Sequence, residues 1–154
     1  MEQDCSAGVA DLSLGENIEM ASIRKEISTS ASPEAVWAVL RDVGALHTRL
    51  VPGFVVDTRL EPGARIVTFG NGMVIREAIV AVDDLAKRVV WSAQSPHLTH
   101  HNGSAQVFAA EGGGAKVVWI ADLLPDEAAP VIEGMMEQGM AVMKATLDRL
   151  NVPV

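Results

Sequence analysis

Two hydrophobic periods divide the chain. Residues 22–29, SIRKEIST, set Ile23, Lys25 and Ile27 against Arg24, Glu26 and Ser28, the two-residue repeat of a strand. The repeat breaks at SASPEAVWAVLRDVG. Ser32 suits an N-cap, Pro33 the first helical position and Glu34 the first turn, while Val36, Trp37, Val39 and Leu40 form an apolar face before Gly44. A second short helix or turn is predicted over 45–50, before Pro52. From residue 54 the two-residue period returns. FVVDTRLEPG and ARIVTFGNG, MVIREAIVAVDD and KRVVWSAQS, NGSAQVFAAEGGG and AKVVWIADLLP read as successive strands with short polar turns, hence an antiparallel sheet.

The last segment, 126–150, has helical period. Asp126 can cap it, and Ile132, Met136, Gly139, Met140, Met143, Leu147 and Leu150 mark an inner stripe. At the helical rise such a segment is ~37 Å long, and its apolar face must lie on the sheet. The order of strand, two short helices, about six strands and one long helix predicts an α+β fold, a curved antiparallel sheet around the C-terminal helix. A sheet curled in this way tends to leave a small-molecule cavity between the layers.

Alternation also assigns faces. The odd-numbered sets Met73, Ile75, Glu77, Ile79, Ala81; Val89, Trp91, Ala93; Ala105, Val107, Ala109; and Val117, Trp119, Ala121, Leu123 are the more apolar and are expected to face the helix. Glu77 breaks the pattern, because a carboxylate among Met, Ile and Ala costs several kcal/mol unless paired, solvated or protonated. It is either a structural ion pair or locally turned-out residue, or a polar anchor in a wet pocket. Lys25, Arg49, Arg65 and His101 are its candidate partners. Met135, Met136, Met140 and Met143 are either ordinary core or an adaptable wall for irregular ligands, and Gly139 leaves room beside them. Trp37 reads as core, and Trp91 and Trp119 as core or cavity lining.

Three of the four histidines fall in SPHLTHHNGS. On a helix, His97, His100 and His101 would share a face and suggest zinc. Between two strand signals, with Pro96 before and Asn102-Gly103 after, they lie instead on a loop entering a strand, where His100 and His101 point to opposite faces. His101 joins the inward set, as a candidate ligand contact or general base. No metal site is expected. With no phosphate loop and no dinucleotide fingerprint, no cofactor is expected either.

Composition narrows the classes. The 154 residues suit one domain, placed at 21–151, with residues 1–20 as a loosely held extension in which Met20 could be an alternative start. A net charge of −8 argues against nucleic-acid partners and anionic membranes. The single cysteine, Cys5, cannot form an internal disulfide, and no run reaches the length of a membrane span or the pattern of a signal peptide. A cytoplasmic location is therefore expected. A homodimer stays open.

SPEAVWAVLRDVGAL, VIREAIVAVDD with KRVVWSA, GGGAKVVWIADLLP and the long last helix together resemble the START-like (SRPBCC) superfamily over residues 21–151. That superfamily includes birch-pollen allergens, bacterial polyketide cyclase/dehydrase-like proteins and plant abscisic-acid receptors. The resemblance implies a helix-grip, a seven-stranded sheet wrapping the last helix around a hydrophobic cavity. REAIVAVDD resembles the receptor strand whose glutamate lines the pocket, the place of Glu77, and HLTHHNGS the receptor latch, with His101 in place of a pocket tyrosine. FGNGM stands where the receptor gate stands but lacks its Ser-Gly-Leu-Pro sequence, and no residue matches the receptor lysine that holds the ligand carboxylate. The resemblance thus implies a loop-bordered pocket and not hormone binding. Phe69, Met73, Ile75, Glu77, Trp91, Leu98, His101, Trp119, Met136, Gly139, Met140 and Met143 are the expected ligand contacts.

Three functions fit. The first is a carrier or sensor of a polyketide-, isoprenoid- or lipid-like hydrophobic molecule. The second is an aromatase/cyclase or dehydratase using Glu77 and His101 as an acid–base pair. The third is an interaction module whose loops close on a ligand and present a new surface.

Overall fold

The computed structural model describes residues 21–151; the expected N-terminal extension, with Cys5 and Met20, lies outside the described residues. Strand β1 (Ala21–Thr29) leads into helix α1 (Pro33–Leu40) and the single wide helical turn α2 (Leu46–Leu50). Strands β2 (Val55–Glu61), β3 (Ala64–Phe69), β4 (Val74–Asp83), β5 (Arg88–Gln94), β6 (His100–Ala109) and β7 (Ala115–Leu124) follow, and helix α3 (Ala129–Asp148) comes last. The Ser32 hydroxyl accepts from the Ala35 amide at 3.1 Å, so the cap read from the sequence forms.

The seven strands make one antiparallel sheet in the order β1-β7-β6-β5-β4-β3-β2. Each strand from β2 to β7 pairs with its sequence neighbours, and β1 returns to pair with β7. α1 and α2 therefore carry the chain from one edge of the sheet to the other. The turn between β4 and β5 is fastened to α1 by Asp84, whose Oδ1 accepts from Trp37 Nε1 at 2.9 Å and from Arg41 Nε at 2.8 Å.

Register fixes which side chains share the inner face. Arg65 lies opposite Glu77, and Glu77 opposite Ala93. One row deeper, Ile79, Trp91, Gly103, Ala121 and Ile23 face one another across five strands. The next row holds Val89, Ala105 and Trp119. The odd-numbered inward set holds with one correction. The register slips at Val80, so Ala81 pairs with Val90 on the outer face, and Val82 takes the place opposite Val89. A one-residue bulge inverts every later side chain, and nothing in a run of small and β-branched residues announces it.

Helix α3 has 20 residues and is ~30 Å long, shorter than expected. Asp126 does not cap it: Asp126–Ala128 form a separate tight turn, Ala128 holds the cap position without a side-chain bond, and Pro130 sets the first turn. Leu150 falls beyond the helix and is exposed. Lys25 Nζ reaches Glu133 at 2.8 Å and Glu137 at 2.6 Å, and Lys144 Nζ donates to the Ser28 carbonyl at 2.7 Å, so the helix is tied along β1 at both ends. No helix among the described residues is long and apolar enough to cross a membrane.

The inner face is closely fitted at Gly103, where a Cβ would stand 2.5 Å from the Trp91 ring. Gly103→Ala must displace that indole, and is expected to lower stability by about 1–3 kcal/mol. Urea denaturation of both proteins checks this; an unchanged midpoint would show that the ring gives way freely.

Candidate functional site

Between the inner face and α3 lies a cavity of about 440 Å³, within the usual range of small-molecule sites. Its floor is built from alternate residues of β3 to β7. Its far wall is α2 with Val51, Phe54 and Val55, and its near wall is Ala128 with Val131, Ile132, Met135, Met136 and Met143 of α3. The opening is bordered by the loop before β6, with Ser95, His97 and Leu98, and by Met73 at the start of β4.

Of the twelve expected contacts, Phe69, Met73, Ile75, Glu77, Trp91, Leu98, His101, Trp119, Met136 and Met143 line this space. Gly139 and Met140 do not. At Gly139 an added Cβ would lie 3.0 Å from Trp119 and 3.1 Å from Phe54, so two rings border the room it leaves. Met140 is 4% exposed and packs in the core, the ordinary reading of a helix methionine. Among the wall residues outside the expected contacts, those of 46–55 carried no signal in the sequence. Leu46, Leu50, Val51 and Phe54 are apolar, but no period across a single wide turn indicates which way they face.

Arg65 is the most important of the wall residues not among the expected contacts. Its Nε donates to Glu77 Oε1 at 2.8 Å, Nη1 reaches the Val43 carbonyl at 3.3 Å, and its guanidinium carbon stands 5.3 Å from the Trp91 ring centroid. The two residues are 3% and 8% exposed, so the ion pair is buried. Glu77 thus faces inward and is paired, and Arg65 is the partner among the four candidates. The signal was present in the alternation: Arg65, Val67 and Phe69 share a face, and Arg65 is directly cross-strand from Glu77.

The histidines separate as a loop running into a strand requires. His97 and His100 are exposed, while His101 is 8% exposed and lines the cavity. Among the described residues, no group of three His, Cys, Asp or Glu side chains is placed to hold a metal ion. His101 Nδ1 and Trp119 Nε1 are both buried without a hydrogen-bond partner from the protein, and both residues line the cavity. Burial pushes the His101 imidazole below its ordinary pKa; the Glu77 carboxylate pulls upward without reversing this. The neutral ring is favoured, able both to donate and to accept.

Two outcomes follow. Arg65→Met leaves Glu77 buried and unpaired, and should cost about 3–5 kcal/mol, whereas Arg65→Met with Glu77→Leu should recover most of that loss. Denaturant titration of the single and double variants decides it; a double variant no better than the single one would refute the pairing argument. For His101 the sign runs toward acid instability. Below the ordinary imidazole value of ~6.5 the unfolded chain takes up a proton that the folded chain resists, until the lower native value is reached. Melting temperature should therefore fall as the pH is lowered below about 6.5, with a His101 share of at most ~1.4 kcal/mol per pH unit that His101→Asn removes.

The comparisons with known proteins agree with this architecture. Among solved structures, the protein XoxI from Bacillus cereus superposes with a TM-score of 0.76 at 20% identity, covering 86% of this chain and 99% of its own. A START superfamily protein from Mycobacterium smegmatis gives 0.68 at 12% identity, covering 84% and 99%. The di-domain ARO/CYC BexL from the BE-7585A biosynthetic pathway gives 0.74 at 15% identity, covering 86% of this chain and 48% of that one. These likenesses establish the helix-grip fold. Sequence comparison with curated proteins gives no match. A family model described as polyketide cyclase / dehydrase and lipid transport matches residues 20–151, and the chain belongs to that family.

Proposed function

We propose that the protein binds a small hydrophobic molecule in the cavity between sheet and helix, as a carrier or sensor. The observation that carries this reading is a cavity of about 440 Å³ walled by Leu, Val, Ile, Met, Phe and Trp, with a few polar groups gathered on its floor. An apolar enclosure with a handful of placed polar groups is the ordinary form of a small-molecule site. Met73, Met135, Met136 and Met143 add side chains that can adapt to ligand shape. The family description, which includes lipid transport, supports the same reading.

A second reading is cyclase or dehydratase chemistry with Glu77 and His101 as the acid–base pair. It is favoured by their common cavity and by the neutral His101 ring, and BexL, of the same fold, is an ARO/CYC protein. Against it stands the Arg65 guanidinium, which occupies one oxygen of Glu77. On this reading Glu77→Gln abolishes turnover of a ketone-bearing substrate and leaves binding in place.

The test of binding uses the neutral fluorescent probe N-phenyl-1-naphthylamine. It should bind one per chain with enhanced emission. Ala93→Phe, which builds a ring into the space beside Glu77, should weaken it by about tenfold or more, ~1.4 kcal/mol, without altering the circular dichroism. Equal binding by the folded Ala93→Phe protein would place the probe elsewhere and sink the cavity reading.

A further inference from the structure

Four wall residues can carry charge: Arg65, Glu77, His97 and His101. His97 is exposed at the opening, where water screens it. The other three are at least nine-tenths buried. Arg65 and Glu77 cancel each other at 2.8 Å, and burial favours the neutral form of His101. The interior is thus polar at one place and carries no net charge there.

This bears on what can enter. A carboxylate approaching the Arg65 guanidinium meets the Glu77 carboxylate already bonded to it. An ammonium approaching Glu77 meets the Arg65 cation. Either head group becomes a buried charge without a free counter-ion, which costs several kcal/mol. An uncharged oxygen has no such conflict. Arg65 has five N–H donors, of which Nε and Nη1 serve Glu77 and the Val43 carbonyl, so a carbonyl or hydroxyl can still find a donor. His101 Nδ1 is buried without a partner beside the same space and can turn to meet a hydroxyl. Trp91 lies against Arg65, and Trp119 sits 6.3 Å from Trp91 between ring centroids, so aromatic surface adjoins the polar pair.

We infer that the cavity selects uncharged, oxygen-bearing aromatic molecules, ketones or phenols. It rejects carboxylates, phosphates and ammonium ions on the same hydrocarbon body, with the Arg65–Glu77 pair as the determinant of that choice. The inference rests on the binding reading above and adds the class of head group to it. The pair is a specificity device: each residue alone would attract an ion, and together they attract a dipole.

The experiment compares three probes sharing one ring system: 2-acetylnaphthalene, 2-naphthoate and 2-naphthylmethylammonium. Each competes with N-phenyl-1-naphthylamine on the full chain near neutral pH. The ketone should bind at least about tenfold more tightly than either ion. Glu77→Gln frees the Arg65 cation and should move the preference by about tenfold or more toward the naphthoate, and Arg65→Met should move it toward the ammonium. Naphthoate or ammonium binding wild type as well as the ketone does would overturn the inference. So would variants that fold and hold the dye yet keep the wild-type ranking. Should neither variant fold, the wild-type ranking decides alone. Dye binding that persists with no ranking among the probes refutes the head-group choice only; loss of dye binding as well removes the cavity reading beneath it.

Discussion

Helix α3 is tied to one side of a sheet too wide for it to cover. Lys25 and Lys144 hold it along β1, and Gly139 lets it settle onto Trp119 and Phe54. β1 is an edge strand and β2 is the opposite edge, with five strands between them. The helix is therefore fastened on the β1 side, and it stands off from parts of the inner faces of β3, β4 and β5. α2 and the segment to Val55 close over the far side, because the chain must cross from β1 to β2 there. What remains between these two covers is the cavity. It arises from topology and from where the helix is tied, and it needs no unusual residue to hold it open.

The same geometry explains why ionic groups can sit on the floor. A buried ion pair is seldom the most stable filling for a core, since apolar residues of similar volume do as well or better. The Arg65–Glu77 pair replaces hydrocarbon that would have closed the floor of β3 and β4, and Ala93 beside it keeps the floor low. Trp91 is held flat over Gly103 and supports the guanidinium from below. Four strands, β3 to β6, thus contribute to placing one pair. Orientation on strands, not on loops, fixes such groups best, because cross-strand neighbours restrict each side chain.

Much of this was legible in the chain. The two-residue period of 54–123 placed Glu77, Trp91, His101 and Trp119 on one face, and Ser32-Pro33 placed the start of α1. Periodicity carries such information because a buried face must be apolar over its whole length, so one polar residue in it is conspicuous. What could not be read is of a different kind. The slip at Val80 is a backbone event between residues that fit either face. Gly139 and Met140 stand on the right stripe, but whether a stripe faces a void or a ring depends on the residues across from it. The end of the helix at Ala129 was misread because Asp126 is a good cap in isolation, and Pro125 and Pro130 together impose a tight turn first. Arg65 and Glu77 were each visible, and only register joins them.

The pairing also gives the conflict at Glu77 a physical resolution. A lone carboxylate in that position would be a buried charge without a partner, and a lone arginine would draw in any anion able to reach it. Joined at 2.8 Å, the two offset each other, and the field of the pair falls off as that of a dipole, faster than that of a charge. Beyond the nearest contacts the cavity is then close to electrically neutral, while at contact distance it still offers donors and an acceptor. For such a site a net charge on the ligand is a penalty, and a well-placed oxygen on an apolar body is not. That property separates this cavity from one built around a single unpaired lysine or arginine.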